Sequence, residues 1–309
     1  MAQLGREPLL HLSTQQLEYL VEVEDNPTWA DAAKALGVTP SALSQGLSQM
    51  ERRVGVPLFD RRGRGRILTA SGEEVLRYAR DVVARTRQLS RWAVDVGEGS
   101  AGRLRVGMID IAAITFFGGE LKQFLRQFPD LGFHLEVSGS AALCSQVHSG
   151  HLDLAVVVEP SVNSGRLSLV RLLEDELAIY APEGADIGTP QTWGPWVTFP
   201  PQSHTRALIA RTLEEKGIRF DVVAESHQPE VLRGMVKLGL GWTVLPVRQA
   251  ETAPGALVRA QRDPVASRRL VVARRYDNPV DNPAADALVQ LLALASESVC
   301  GGGAMVADT

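Results

Sequence analysis

Residues 17–80 of this 309-residue chain read LEYLVEVEDNPTWADAAKALGVTPSALSQGLSQMERRVGVPLFDRRGRGRILTASGEEVLRYAR. This stretch contains closely spaced start and stop signals for helices. Ser13 and Thr28 each precede an apolar stripe with capping-box spacing, and each predicts a helix start. Gly37 ends the second helix, and Thr39, followed by proline, begins a third after one intervening residue. Two helices joined by so short a turn predict a helix-turn-helix.

An arginine-rich hairpin and a long helix follow the helix-turn-helix. In DRRGRGRIL (60–68), two glycines between short apolar runs predict a wing with Arg62 and Arg64 at its tip. The next helix begins at Thr69 to Ser71, and its apolar positions recur in steps of four and three. This heptad pattern favours a partner helix, although packing on its own domain would also produce such a stripe. The positions assigned to dimerisation are Val75, Ala79, Val82, Leu89 and Val96.

Charge is distributed unevenly along the chain. The net charge is −4, yet residues 51–91 contain 11 arginines against 5 acidic residues. A basic segment on an otherwise acidic protein indicates a polyanionic partner at one end, and a solvated, arginine-rich helix face is the alternative explanation.

Strands and helices alternate beyond the glycine-rich hinge at 98–103. This alternation predicts a parallel sheet covered by helices on both faces. The predicted strands are LRVGMI (104–109), FHLEVSG (133–139), LDLAVVV (152–158), ELAIYAP (176–182), WVTFPP (196–201), FDVVAES (220–226), WTVLPV (242–247) and RRLVVARR (268–275), and a helix over 283–296 closes the fold.

Composition excludes several classes of protein. No uncharged apolar stretch reaches 18 residues, so we expect no membrane span and no membrane partner. The N-terminus has no apolar core of signal-peptide length, which predicts a cytoplasmic protein. Two distant cysteines, Cys144 and Cys300, argue against a disulfide scaffold and a zinc ribbon, so we expect no metal and no cofactor.

The chain resembles the LysR family of transcriptional regulators over nearly its whole length. In the head, the A-A-x-x-L-x-V turn, the A-L-S segment, G-V-x-L-F and L-T-x-x-G-E lie as in that family. GMVKLGLGWTVLPV (234–247) resembles the family's V-x-x-G-x-G-x-x-x-L-P segment of the second sensor lobe. RVGMID (105–110) and SGHLDLAVV (149–157) resemble the corresponding pieces of the first lobe.

The resemblance implies an α/β protein with an all-α-type winged helix-turn-helix head, a long linker helix and a two-lobed, Rossmann-like effector domain of the periplasmic-binding-protein type. It implies a sequence-specific DNA-binding regulator, not an enzyme, switched by a small-molecule effector. The implied partners are double-stranded DNA, a second copy in a dimer or tetramer, and RNA polymerase. The expected parts are the head (10–70), linker helix (71–97), hinge (98–103), lobe I (104–173 with 275–299), lobe II (174–274) and a disordered tail (300–309).

The start of the recognition helix departs from the family pattern. Pro40-Ser41 stands where the family often has Gln-Pro, and Gln45 where it often has arginine, so base contacts do not transfer by chemical type. Short hydroxyl and amide side chains can still read base edges. Arg52 and Arg53 fit either a phosphate contact or a structural role. The expected DNA-binding residues are Thr39, Ser41, Ser44, Gln45, Gln49, Arg62 and Arg64.

By the same resemblance, an effector pocket lies between the lobes, at the carboxyl ends of the strands. Asp110 there either opposes an anion, which favours a ligand with an amine or hydroxyl, or caps a helix. His204 beside Ser203 is expected to be a polar pocket or surface group, because no G-x-S-x-G motif supports catalysis. The expected lining is Ile109, Asp110, Ile111, Ser138, Gly139, Ser140, Pro201, Gln202, His204, Gln228 and Thr243.

Two other functional classes compete with a regulator. A solute-binding receptor shares the two-lobed sensor, but it has no use for the 102 residues before it and needs secretion or a lipid anchor. An α/β enzyme needs a phosphate loop, a metal cluster or a catalytic triad, and the sequence has no motif for any of them.

Overall fold

The computed structural model describes residues 10–60, 67–98, 102–161, 167–251, 255–276 and 282–301; the side chains of 91, 92, 95–98 and 298–301 lie outside this description. Two compact units are described separately: the head with its long helix, within residues 1–99, and the sensor, which makes up most of residues 100–309. No helix in the described ranges is long and apolar enough to cross a membrane.

The described part of the head contains four helices, and the helix starts predicted at Ser13 and Thr28 are confirmed. Ser13 forms a capping box with Gln16, and Thr28 accepts a hydrogen bond from the Asp31 amide. Gly37 adopts a φ of 66° in the turn, a conformation that favours glycine. The helices are α1 (Thr14–Asp25), α2 (Trp29–Ala35), α3 (Pro40–Val54) and α4 (Ala70–Glu98).

The base of the wing is fixed by α3 and by the start of α4. Phe59 pairs with Leu68 in an antiparallel bridge, and the Glu51 carboxylate accepts hydrogen bonds from the amides of residues 58 and 59. Thr69 caps α4 by accepting from the Gly72 amide at 3.0 Å. A side chain at Gly72 would collide with the backbone of residue 58, so this glycine permits the close approach of wing and helix.

Lobe I of the sensor is built on parallel strands. Its core combines the buried strand β3 with apolar side chains of the surrounding helices. The elements are β1 (Arg103–Met108), a π-helical turn (Ala112–Phe116), α5 (Gly118–Gln127), β2 (Gly132–Val137), α6 (Ser140–His148) and β3 (Leu154–Val158).

Lobe II has its own core, which includes three packed tryptophans, Trp193, Trp196 and Trp242. Its elements are β4 (Leu167–Tyr180), a 3-10 turn (Pro190–Thr192), β5 (Trp196–Thr198), α7 (His204–Glu215), β6 (Val222–Glu225), α8 (Pro229–Lys237), β7 (Thr243–Pro246), α9 (Val247–Ala250) and β8 (Ala266–Arg275), and α10 (Pro283–Gly301) packs back on lobe I.

The mixed α/β fold is confirmed, but the expectation of a purely parallel sheet is wrong. Six strands form one sheet in the order β2-β1-β3-β8-β4-β7, in which only β1, β2 and β3 are mutually parallel. β8 and β4 run antiparallel to each other and to their other neighbours, because they are the two long strands that cross between the lobes. Leu270 to Ala273 already belong to the lobe I core, so the return to lobe I precedes the boundary expected at 275.

Candidate functional site

Helix α3 has one buried and one exposed face. Leu43, Leu47 and Met50 are buried in the head core, while polar side chains cover the outer face near the start of the helix. Thr39 caps this end by accepting from the Ala42 amide at 3.2 Å, and its hydroxyl lies 3.0 Å from that of Ser41. The exposed residues predicted to bind DNA are Thr39, Ser41, Ser44, Gln45 and Gln49.

Two residues late in α3 contact α1. Gln49 Oε1 accepts a hydrogen bond from Gln16 Nε2 at 3.3 Å. Arg53 Nη1 donates to the His11 carbonyl at 2.8 Å and to Gln16 Oε1 at 2.9 Å. These contacts support the structural role for Arg53 and hold one end of the Gln49 amide. Both Arg52 and Arg53 are exposed.

The predicted wing residues Arg62 and Arg64 lie outside the described residues, as do 302–309 of the expected tail and the middle of the hinge, 99–101. What the structure describes is the base of the hairpin. There the Asp60 amide donates to the Ile67 carbonyl at 2.8 Å.

Helix α4 divides its apolar residues between two faces. Ala79 is fully buried in the head's own core, so its assignment to the dimer seam is corrected: its methyl group is not available to a partner helix. Val75 and Val82 are half-buried against the same core, and the side chain of Val96 is outside the description. Among the described side chains of α4, the large apolar ones that remain exposed are Tyr78, Leu89 and Val94.

A cleft of about 630 Å³ lies between the two lobes of the sensor. It opens where β1, β2 and β3 end and where α6 and α7 begin. Seven of the eleven predicted residues lie on its lining: Ile109, Asp110, Ser138, Gly139, Ser140, Gln202 and Gln228.

Four predicted residues are not on this lining. Ile111 belongs to the lobe I core, and Thr243 is fully buried in β7, where it pairs with Tyr180 of β4. His204 lines a neighbouring cavity of about 380 Å³, and its Nδ1 lies 3.1 Å from the Val158 carbonyl. Pro201 is exposed beside the lining. Thr243 was misplaced because a strand residue next to the cleft can point into the core instead.

Polar groups on the lining are partly engaged within the protein. Asp110 Oδ2 accepts a hydrogen bond from Gln249 Nε2 of lobe II at 2.9 Å, so Asp110 joins the lobes instead of capping a helix. Ser140 Oγ is buried and accepts from the Val158 amide at 3.0 Å. Gln202, His227 and Gln228 are exposed, and Ser138 of the opposite lobe is half-buried.

Sequence reasoning missed Arg268, a buried cation on the lining. Its Nε donates to Asp175 Oδ2 at 2.9 Å and its Nη1 to Thr205 Oγ1 at 3.0 Å. Burial raises the pKa of the Asp175 carboxyl, and the charge of Arg268 opposes that shift. A signal was present: in RRLVVARR, Arg268 occupies the same strand face as the buried Leu270. The other residues missed are Val137, Ala141, Ala142, Val158, Phe199, Ser203, Thr205 and His227.

Thiol chemistry and metal binding are the two other kinds of site that the sensor could offer. Cys144 is buried, and desolvation raises the pKa of its thiol to about 11, which disfavours the reactive thiolate. The side chain of Cys300 is outside the description. Within the described ranges, no cluster of three or more histidine, cysteine, aspartate or glutamate side chains could hold a metal ion.

Two family models match the chain. The model described as "Bacterial regulatory helix-turn-helix protein, lysR family" matches residues 14–73, and the model described as "LysR substrate binding domain" matches residues 97–295. A relative from Shigella flexneri, the uncharacterized HTH-type transcriptional regulator YfeR, is 24% identical over 288 residues, which cover 90% of this chain and 92% of the relative.

Solved structures share the fold. CbnR in complex with its target DNA has a TM-score of 0.52 and 17% identity, covering 92% of this chain and 99% of CbnR. The effector binding domain of QuiR in complex with shikimate has a TM-score of 0.55 and 16% identity, covering 64% of this chain and 99% of that domain.

Proposed function

This chain belongs to the LysR family of bacterial transcriptional regulators, which are not enzymes, and we propose that α3 and the wing read an operator while the cleft binds the effector that switches this binding. The observation that carries the proposal is the uncharged, polar and exposed start of α3 on a helix whose other face is locked into the head core. A helix end with exposed hydroxyl and amide groups suits the major groove.

Different positions along α3 suit different contacts with DNA, which supports this assignment. Thr39 and Ser41 lie at the helix N-terminus, where backbone amides attract phosphate. Gln45 lies one turn further on, exposed, and a glutamine side chain can pair with both N6 and N7 of adenine. In CbnR, a protein of the same fold, a target DNA is bound. We propose that Arg62 and Arg64 add phosphate or minor-groove contacts.

The cleft supports the second half of the proposal. It has the volume of a small-molecule site, and its lining combines apolar side chains with polar groups from both lobes. The related QuiR domain holds shikimate. A ligand touching Ser138 of lobe I and Gln202 of lobe II favours one lobe angle, and a ligand shifts an equilibrium only by its differential affinity for two states.

We propose a dimer formed through the exposed stripe of α4, and a tetramer when the sensors also pair. Tyr78 and Leu89, about three turns apart on one face of α4, leave apolar surface uncovered, as a coiled-coil partner requires. Two-fold symmetry then requires paired half-sites in the operator. Action in the cytoplasm and a contact with RNA polymerase are parts of the same proposal.

The test is a DNase I footprint on the DNA upstream of the protein's own gene. We expect protection of two half-sites whose centres are separated by about one or more helical turns of roughly 10.5 base pairs. A thermal-shift screen of metabolites then identifies the effector, and the footprint is repeated with it. Binding that protects this DNA no better than a scrambled duplex would contradict the proposal.

A further inference from the structure

The lobes of the sensor are joined by two strands and also by a small group of side chains. The strands β4 and β8 pair as an antiparallel ribbon that crosses from one lobe to the other. Beside it, the π-helical turn of lobe I, with Asp110 just before it, contacts the short helix α9 of lobe II. A connection through a few residues is where domains hinge, so contacts beside the ribbon determine the angle between the lobes.

Two successive residues of α9 make these contacts. Gln249 Nε2 donates to Asp110 Oδ2 at 2.9 Å, and a hydrogen bond to a carboxylate is stronger than one between neutral groups. The guanidinium carbon of Arg248 lies 5.2 Å from the centroid of the Phe116 ring, within the range of a cation–π interaction. Phe116 is buried in the core of lobe I, so Arg248 of lobe II rests on the core of the opposite lobe.

Helix α9 is fixed to the rest of lobe II. Arg233 Nη1, on α8, donates to the carbonyl of Gln249 at 3.2 Å. Ala250 is fully buried in the lobe II core. Glu251, the next residue, accepts a hydrogen bond from the hydroxyl of Tyr180 on β4 at 2.9 Å. Because α8, the core and β4 all hold α9, the helix moves with lobe II, and its contacts with lobe I act on the whole lobe.

The Gln249 amide both gains and loses free energy in this contact. Its Oε1 is buried and accepts no hydrogen bond from the described residues. A reversed amide would bring Oε1 against the carboxylate of Asp110, which has no proton to donate when ionised. A buried acceptor without a donor costs free energy, and separation of the lobes would return it to water. The contact is therefore specific in geometry but opposed by a cost that opening removes.

Asp110 connects this contact with the cleft and with the crossing strands. Asp110 is on the cleft lining, whereas Arg248 and Gln249 are not. Burial raises the pKa of Asp175 on β4, and the neighbouring Arg268 lowers it. The charge of Arg248 also lowers this pKa, and that of Asp110 raises it. The contact between the lobes and the ion pair on the crossing strands therefore influence each other electrostatically.

We propose that Arg248 and Gln249 are positioning residues: with Phe116 and Asp110 they form a latch that holds the lobes at the angle of this structure. A change in lobe angle then requires release of both contacts, because α9 is fixed to lobe II and Phe116 to lobe I. The inference goes beyond the binding functions proposed above. Only its consequence for DNA binding rests on the proposed switch.

The distance between the lobes of the full chain tests the latch. It is measured by double electron–electron resonance between spin labels at Lys122→Cys on α5 and Glu214→Cys on α7, two exposed positions in different lobes. Cys300→Ser removes one native thiol, and Cys144 is buried. Labelled chains are diluted into an excess of unlabelled chains, so that only distances within one chain contribute.

Gln249→Glu changes one NH2 group to oxygen and sets two carboxylates against each other, which repel when both are ionised. The ratio of the original distance to a new one should fall at least about 10- to 150-fold, the effect of losing a hydrogen bond to a charged group. Adding Asp110→Asn exchanges donor and acceptor and should restore the original distance. Arg248→Gln should lower the ratio only about two- to fivefold. Gln191→Glu, the same change at an exposed position of lobe II, is the control and should have no effect.

The outcomes separate the latch from the regulator function. An unchanged distance distribution in Gln249→Glu overturns the latch, and so does a double variant that keeps the new distance. If Gln249→Glu does not fold, Gln249→Ala removes the donor without adding charge and must show the new distance instead. If the distances change as expected while operator affinity stays the same in every variant, the latch stands and the proposed switch fails. If operator affinity changes while the distance does not, the latch fails and the regulator function stands.

Discussion

The start of α3 and the sensor cleft differ in shape, in exposure to solvent and in charge. The α3 surface is convex, exposed and uncharged, and its residues lie within one continuous helix. The cleft is concave and contains a buried guanidinium, and its lining comes from at least six separate parts of the sensor. Both surfaces use hydroxyl and amide groups, so they differ in their exposure to solvent and in the charged side chains that only the cleft contains.

This contrast shows where the charge must come from in each site. The start of α3 has no cation of its own, so attraction to DNA depends on helix-end amides and on the arginines elsewhere in 51–91. Solvent and salt screen such charges. In the cleft, one cation is shielded from solvent and held by Asp175, so a single contact has a large effect. DNA binding at the exposed surface therefore depends on the sum of many contacts that salt weakens. Effector binding in the cleft depends on a few shielded contacts and is selective.

The largest expected effect is on salt dependence. Raising the salt concentration from 50 to 200 mM should weaken operator binding about 1,000-fold if roughly six phosphates are contacted, because counterions are released. Binding of the identified effector to the cleft should change by less than about threefold, since Arg268, the cation on its lining, is buried. Fluorescence anisotropy and calorimetry in the same buffers measure the two slopes. Equal slopes would remove the distinction between the surfaces.

The next effect concerns α4. Tyr78→Lys combined with Leu89→Lys places like charges on the exposed stripe, and should reduce self-association and lower operator affinity about 100-fold as the two half-sites are uncoupled. Sedimentation velocity and anisotropy measure these changes. Ile187→Lys, at an exposed loop position of the sensor, is the control and should change neither. Undiminished association and affinity in the double variant would exclude this stripe as the interface.

A smaller effect is expected from the accessible polar groups of the cleft. Ser138→Ala with Gln202→Ala should abolish the roughly 5- to 150-fold effect of the identified effector on operator affinity, with little change in affinity when no effector is present. Thr243→Val alters a buried residue off the lining and should leave effector affinity unchanged. Calorimetry distinguishes the two variants, and wild-type effector affinity in the double variant would rule out these contacts.

The head was more predictable than the cleft for a physical reason. Caps and turns are local, so Ser13, Thr28 and Gly37 could be placed from their neighbours alone. Ala79 shows the limit even there, since an apolar helix residue fits either a partner or its own core, and only packing decides.

Assembly of the cleft depends on contacts far apart in the sequence. Asp175 and Arg268 are 93 positions apart, and no local pattern pairs them. The antiparallel crossing of β4 and β8 was missed for the same reason, because strand direction is set by the path of the chain between lobes. Thr243 was assigned to the cleft and Arg268 was not, because only their positions near strand ends were considered. The role of each side chain depends on the face of the strand from which it projects.

The central claim, that the exposed start of α3 reads sequence, is tested most directly by comparing Gln45→Ala with Gln49→Ala on the operator and on a scrambled duplex. Gln45→Ala should cost about 1–3 kcal/mol on the operator and almost nothing on the scrambled duplex. Gln49→Ala should cost less, because Gln16 already occupies one end of its amide. Gln123→Ala, an exposed glutamine of α5, is the control. A Gln45→Ala protein whose operator preference over the scrambled duplex equals that of the wild type would contradict the account.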